Sequence, residues 1–197
     1  MPRMPVRVLV LAGDGRPAAA LVTALGEQRA RAVDALLLRR ARAWAEDAFG
    51  AGAVEVVAER SPGVAVQEGE GGAPSGRPAG ETVVAISPDL PVWRPELATA
   101  LLGDLRAGCP LSLAPVFDGG LYLLALADAS APIAGALTGL DLAGPHGMSG
   151  LMALAARAGT EVGLLRAERA LRRERDVRAL RADPLTDAEL RALLAYA

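Results

Sequence analysis

The 197-residue sequence has no lysine and no asparagine, one cysteine, one histidine and an aromatic content of only 3%. All 21 basic residues are therefore arginine, which excludes a lysine phosphate anchor or a Schiff-base lysine and leaves arginine as the permanent cation. The single cysteine, Cys109, excludes an internal disulfide. With so few aromatic residues, the core has to be built mainly from Ala, Leu and Val.

Long apolar runs and a large excess of charge of one sign are also missing. The sequence shows no apolar run of about 18 residues and no cleavable signal, which, with the single cysteine, predicts a cytoplasmic protein without a membrane partner. A net charge of −2 gives no general attraction to polyanions. We therefore expect no nucleic-acid partner.

The composition that is present is typical of one globular domain. Hydrophobic residues make up 52% of the chain and charged residues 22%. A chain of this length can bury one stable core without disulfides or metals. We predict a single domain over residues 1–197, with a flexible loop at about 68–81 where Gly, Pro and Ser accumulate.

Short apolar segments alternate with helical patterns along the chain. The predicted strands are 6–12, 53–58, 64–67, 82–87, 111–116, 121–127 and 161–166. The predicted helices are 18–25, 29–49, 95–107, 148–158, 176–181 and 186–194. Such alternation indicates right-handed βαβ crossovers, and therefore an α/β protein: a three-layer αβα sandwich around a mostly parallel sheet.

Three loops are candidates for a ligand site, because ligands of such sheets bind beyond the carboxyl ends of the strands. The loops at 13–16, 87–91 and 117–120 each follow a predicted strand. We expect the site where these loops meet.

The second of these loops contains the first candidate residue, Asp89. It lies in Ser87-Pro88-Asp89-Leu90-Pro91, directly after a buried strand, where two prolines restrict the backbone. A carboxylate at this edge suits Mg²⁺ bridging to a diphosphate. The alternative is that Asp89 caps the following helix or organises a turn.

The third loop contains Asp118-Gly119-Gly120. Two glycines permit backbone conformations, or a close approach of ligand, that a side chain would block. A sugar or phosphate could lie against this turn. The alternative is a plain hairpin turn, since Asp-Gly is a common hairpin signal.

The segments around these loops resemble a known family. The stretch SPDLPVWRPELATALLGDLRAG, followed by PLSLAPVFDGGLYLLAL, is similar to the centre of the bacterial family called domain of unknown function 2064, which carries a GSDxP loop and a PxxDGGYYL segment. Residues 176–180 resemble the end of its closing motif, EDLRRL. A more distant similarity is to the guanylyltransferase that activates phospholactate in deazaflavin cofactor synthesis. The resemblance implies the nucleotide-diphospho-sugar transferase fold, which is GT-A and Rossmann-like.

By position, the resemblance implies a role for each candidate. Asp89 would help to hold Mg²⁺ or Mn²⁺ and a nucleotide diphosphate, and Asp118, Gly119 and Gly120 would line the acceptor or sugar side.

Parts of the family pattern are replaced in this chain. Of the basic phosphate loop GxVKTRL, Arg16 is the cation that remains, and residues 67–80 replace a further glycine-rich region. Residues 170–173, Ala-Leu-Arg-Arg, stand where the family has the acidic motif DVDT. One carboxylate holds Mg²⁺ poorly, so the loss of this motif weakens the expectation of a metal.

Two further features have competing interpretations. His146, in the turn Gly144-Pro145-His146-Gly147, could act as an acid or base, or could be a solvated loop residue. Seven arginines between Arg166 and Arg181 could form a phosphate patch, but acidic residues are interleaved with them. We predict a solvated, ion-paired face for this segment.

Three hypotheses for function follow. The first is a nucleotide-sugar-dependent glycosyltransferase or nucleotidyltransferase-like protein with a partly degenerate site, which binds a nucleotide or nucleotide sugar and uses a metal at Asp89, assisted by Arg16. The alternative is a non-catalytic nucleotide-binding or scaffold protein, a pseudoenzyme. A third possibility is a pocket rebuilt for another ligand, with the Gly-rich loop and His146 as new parts. A homodimer is expected only on base rates.

Overall fold

The computed structural model describes residues 5–58, 80–128, 133, 137 and 140–195. In this part of the chain a six-stranded sheet is formed in the order β2-β1-β3-β5-β4-β6. Strand β5 is antiparallel to both of its neighbours, and the other pairings are parallel. The predicted mostly parallel sheet is therefore confirmed. The strands are β1 (Val6–Leu11), β2 (Val54–Val57), β3 (Thr82–Ile86), β4 (Leu111–Pro115), β5 (Leu121–Leu126) and β6 (Val162–Leu164).

Helices cover both faces of the sheet. Alternate residues of β1 point to opposite sides: Val8 and Val10 pack with Trp44 and Leu101, and Leu9 packs on the face of Leu151. The three-layer arrangement is therefore confirmed. The helices are α1 (Ala19–Leu25), α2 (Glu27–Phe49), α3 (Glu96–Arg106), α4 (Gly147–Ala158), α5 (Glu174–Ala182) and α6 (Ala188–Leu194), with a 3₁₀ turn at Ala51–Ala53.

Helix α2 belongs to two hydrophobic clusters. Its C-terminal half contributes Ala41 and Trp44 to the cluster under the sheet. Its N-terminal half contributes Val33 and Leu37 to a separate cluster with buried residues of α1, α5 and α6. The chain after β6 therefore packs against the N-terminal half of α2.

Most predicted elements are present with shifts of a few residues at their ends. Strand β6 is shorter than predicted, and α5 starts two residues earlier, at Glu174. The predicted strand 64–67 lies outside the described residues, as does the predicted loop apart from its end at Gly80 and Glu81. Within the described part of the chain, no helix is long and apolar enough to cross a bilayer.

Candidate functional site

A cleft of about 470 Å³ opens beyond the carboxyl ends of β1 and β3. We call it the β1–β3 cleft. It is lined by the loop after β1, the loop after β3, one side of α2, the loop at 141–143 and the segment before α5. Two of the three loops that we expected to meet, those at 13–16 and 87–91, therefore line the same cleft. Residues that define it include Gly15, Arg16, Arg31, Asp34, Ala35, Leu38, Ser87, Asp89 and Arg172.

The third loop is joined to this cleft by Arg172. The guanidinium donates from Nε to Oδ2 of Asp89 at 2.6 Å, and Nη1 lies 3.4 Å from Oδ1 of Asp118. The same group donates to the carbonyl oxygens of Ala143, at 2.8 Å, and Leu121, at 3.1 Å. One side chain, 10% exposed, thus connects both candidate carboxylates.

Each carboxylate also has a second partner. The hydroxyl of Ser87 donates to Oδ2 of Asp89 at 2.8 Å. Oδ2 of Asp118 lies 3.3 Å from Nη2 of Arg173. Two guanidiniums therefore balance the charge of two carboxylates.

The backbone fixes the position of Arg172. Asp176, in the first turn of α5, accepts hydrogen bonds from the backbone N–H groups of Arg172 and Arg173 at 3.2 and 2.9 Å. A carboxylate at a helix N-terminus is favourable because it satisfies free N–H donors. Leu171 donates its N–H to the carbonyl of Asp89 at 2.8 Å, and its side chain is buried. The segment before α5 is therefore bonded directly to the Asp89 loop.

The prediction of a solvated arginine face is wrong for Arg172, which is largely buried against the two carboxylates. The prediction holds for other arginines of the segment: Arg166, Arg169, Arg175 and Arg178 are each about half exposed or more, and all pair with acidic side chains. Sequence reasoning missed Arg172 because its local sequence is no different from that of these neighbours.

Gly119 and Gly120 pack against protein. Gly119 has φ +97°, and a Cβ atom there would lie 2.4 Å from the carbonyl oxygen of Pro145. A Cβ atom at Gly120 would meet the Arg172 guanidinium and the carbonyl of Ala143. The turn joins antiparallel β4 and β5, as the hairpin alternative expects. A role for Asp118, Gly119 and Gly120 in contacting ligand stays a prediction.

The residues at this edge do not fit a divalent metal. The described residues include no group of three His, Cys, Asp or Glu side chains that could hold one. Asp89 and Asp118 do converge, but a guanidinium lies between them. A metal site needs several oxygen ligands free to turn towards one ion.

The exposed arginines of the cleft are Arg16 and Arg31. Arg16 lies 3.8 Å from Asp14, whose carboxylate also accepts the backbone N–H of Arg16. Arg31, on α2, pairs with Glu27 at 2.6 Å. Sequence reasoning missed Arg31 because the helical pattern does not tell which exposed residues of α2 face the loops.

His146 lies outside the described lining of the β1–β3 cleft. It is exposed and immediately precedes α4, where its carbonyl accepts the N–H of Gly150 at 2.8 Å. The interpretation as a solvated loop residue fits this position better than a role as acid or base.

A solved structure has a similar fold. It is the crystal structure of a "putative nucleotide-diphospho-sugar transferase" from Desulfovibrio desulfuricans G20, with a TM-score of 0.61 over 96% of each chain and 17% sequence identity. No family model and no curated protein matches the chain. The resemblance seen in Ser87 to Pro91 and Pro115 to Leu123 therefore stays a prediction at the level of the family. The expected nucleotide-diphospho-sugar transferase fold is confirmed.

Proposed function

We propose that this chain binds a nucleotide sugar in the β1–β3 cleft and descends from nucleotide-sugar transferases. The observation that carries the proposal is the cleft itself, which lies beyond the carboxyl ends of parallel strands and has a volume of about 470 Å³. Both its place and its size are typical of small-molecule sites in α/β proteins. The similarity in fold to the Desulfovibrio structure supports the same class of ligand.

The lining suggests how such a ligand would lie. Apolar side chains of the lining that keep some exposure, including Ala12, Ala35 and Leu38, offer a surface for a base. Arg16 and Arg31 offer cations to phosphate oxygens, for which guanidinium geometry is well suited. The phosphates would therefore lie towards the first loop and the start of α2.

The charges of the lining are balanced. Among the described lining residues, three arginines are matched by three aspartates: Arg16, Arg31 and Arg172, and Asp34, Asp89 and Asp141. Attraction of a diphosphate would then depend on local contacts rather than on a strong positive field. We expect modest affinity that falls as the salt concentration rises.

Transfer chemistry requires neutralisation of the departing diphosphate and deprotonation of an acceptor. The arginines suit the first task. For the second, Asp89 and Asp118 are already paired with guanidiniums. This pairing favours a second candidate function, in which the chain binds a nucleotide sugar without transferring it.

Binding is tested by filling the cleft. Ala35 is exposed on α2 and lines the cleft, so Ala35→Tyr should weaken binding of UDP-glucose or GDP-mannose at least tenfold by calorimetry. Ala43 is exposed on the same helix and outside the cleft lining, so Ala43→Tyr should leave the affinity unchanged. Absence of binding of every nucleotide and nucleotide sugar to the wild type would overturn the proposal.

A second measurement separates the two candidates. The wild type is incubated with the bound nucleotide sugar, and free nucleoside diphosphate is followed by chromatography. Release supports a transferase with water as a slow acceptor. A ligand that stays bound and intact supports the non-catalytic candidate.

A further inference from the structure

Two carboxylates from different loops converge on one buried cation. Asp89 follows β3 and Asp118 follows β4, and Arg172 contacts them at 2.6 and 3.4 Å. The side chains of Arg172 and Asp118 are each 10% exposed, and that of Asp89 is 27% exposed. Carboxylates that approach each other away from water repel, and a cation between them offsets that repulsion.

We propose that the Arg172 guanidinium is a built-in replacement for a divalent metal ion between Asp89 and Asp118, so that the β1–β3 cleft binds its phosphorylated ligand without a metal. The statement about the ligand rests on the proposed function. The statement about the metal does not, because it concerns only these side chains.

The hydrogen bonds of the guanidinium explain why it excludes a metal. Each of its three nitrogens donates, and the acceptors are Asp89, Asp118 and the carbonyls of Ala143 and Leu121. A metal ion would have to displace all of these bonds together. Because arginine stays charged at every accessible pH, the position is never left without a cation.

Backbone hydrogen bonds also fix the position of Arg172. Asp176 holds the N–H groups of Arg172 and Arg173, and Leu171 donates to the carbonyl of Asp89. The side chain enters from a segment already joined to the Asp89 loop, and it lines the cleft itself. The cation therefore has a fixed place in the lining of the cleft, as a bound metal would.

The experiment replaces the cation by a ligand for a metal. In Arg172→Asp, carboxylates at 89, 118 and 172 would be able to turn towards one ion. We expect the variant to bind Mn²⁺ at least tenfold more tightly than the wild type, by calorimetry and by the loss of the free-ion electron paramagnetic resonance signal. Mn²⁺ should also raise the melting temperature of the variant and leave that of the wild type unchanged.

The control is Arg173→Asp, which places the same charge change beside Asp118 on a side chain 41% exposed. Arg172 remains in this variant, so it should gain no Mn²⁺ site. In the double variant Arg172→Asp with Asp118→Asn, the gain should be lost. If Arg172→Asp does not fold, Arg172→Gln serves instead. It leaves two carboxylates facing each other, and Mn²⁺ should stabilise it where the wild type shows no effect.

Two results obtained without a nucleotide would overturn the inference. One is Mn²⁺ binding to the wild type that is lost in Asp89→Asn, because the pair would then hold a metal in spite of Arg172. The other is a folded Arg172→Asp variant with no gain in Mn²⁺ affinity. These measurements contain no nucleotide, so failure of the proposed function is recognised separately. Where a nucleotide sugar does bind, its affinity for the wild type should be equal in Mn²⁺ and in EDTA, and a clear dependence on the metal contradicts the inference.

Discussion

Gly120 lies so close to Arg172 that a Cβ atom at this position would be 2.4 Å from Nη1 of the guanidinium. The same atom would be 2.9 Å from the carbonyl oxygen of Ala143 and 3.0 Å from that of Leu142. The glycine is thus required by the pairing of Arg172 with the two carboxylates, whether or not a ligand touches the turn.

Gly120→Ala should therefore destabilise the protein. Arg172 cannot move away without losing bonds to Asp89 and Ala143. We expect the free energy of unfolding to fall by about 1–3 kcal/mol, as for other overpacked sites. Urea denaturation followed by circular dichroism measures it. The control is Gly103→Ala, in the exposed middle of α3 with no atom near its Cβ, which should gain about 0.5–1 kcal/mol.

Gly119 permits a separate test, because the chain contains a glycine of nearly the same conformation. Gly119 has φ +97° and Gly108 has φ +98°, but only at Gly119 does a Cβ atom meet an obstacle, the carbonyl of Pro145 at 2.4 Å. Both alanine variants should lose about 1–2 kcal/mol from the positive φ. Gly119→Ala should lose a further 1–3 kcal/mol or so from the contact. Equal losses in thermal or urea unfolding would show that the turn containing Pro145 moves to accept the Cβ atom.

Most of the fold could be predicted from the sequence, because its central strands are continuous apolar runs. In β3 and β5 every residue is buried, so residues at all positions of these strands have to be apolar or hydrogen-bonded. The antiparallel direction of β5 follows from the short turn Asp118-Gly119-Gly120, which is too short for a crossover. The end of β6 was less predictable, since this edge strand has three residues and Leu164 is exposed.

The candidate site was predictable only in part. Loops that follow parallel strands lie at the same edge of a sheet, which predicts that Asp89 and Asp118 are neighbours. In the structure both carboxylates contact Arg172 at that edge. The cation between them comes from 83 and 54 residues away in sequence. Arg172 is one of seven arginines in residues 166–181, so the sequence offers no local signal that selects it. The buried position of Arg172 between the two carboxylates depends on the hydrogen bonds of Leu171 and Asp176, which the sequence does not show.

Arg40 and Asp187 predict a pH dependence of stability. Arg40 donates to both carboxylate oxygens of Asp187, and hydrogen bonding from Arg40 lowers the pKa of this carboxyl from 3.8 to about 2. The folded pKa lies below the unfolded one, so the pair stabilises the protein above about pH 4, and this contribution is lost as the pH falls towards 2. Arg40 also donates to the carbonyl of Pro91, which links the pair to the Asp89 loop.

Asp187→Asn isolates this contribution, because asparagine can still cap α6. The side chain of Asp187 is 41% exposed, so solvent screening keeps the effect small. We expect a loss of about 0.5–1 kcal/mol at pH 7 that shrinks as the pH is lowered from 5 to about 2.5. Asp47→Asn, on the exposed side of α2, should show no such trend. A loss that is the same at every pH would contradict the assignment.

The rings of Trp44 and Trp93 pack with centroids 4.8 Å apart and planes tilted by 32°, but their indole N–H groups differ in hydrogen bonding. Nε1 of Trp44 donates to the carbonyl of Arg94 at 2.9 Å. Nε1 of Trp93 is buried and has no hydrogen-bond partner among the described residues. Trp44→Phe removes one of two hydrogen bonds to the carbonyl of Arg94, which also accepts the N–H of Leu97 at 3.2 Å. Trp93→Phe removes a buried donor that has no partner among the described residues. Trp44→Phe should therefore cost at least about 1 kcal/mol more than Trp93→Phe in urea unfolding, with both variants losing similar ring area. Equal costs would contradict the assignment and would mean that the indole N–H of Trp93 is hydrogen-bonded in solution.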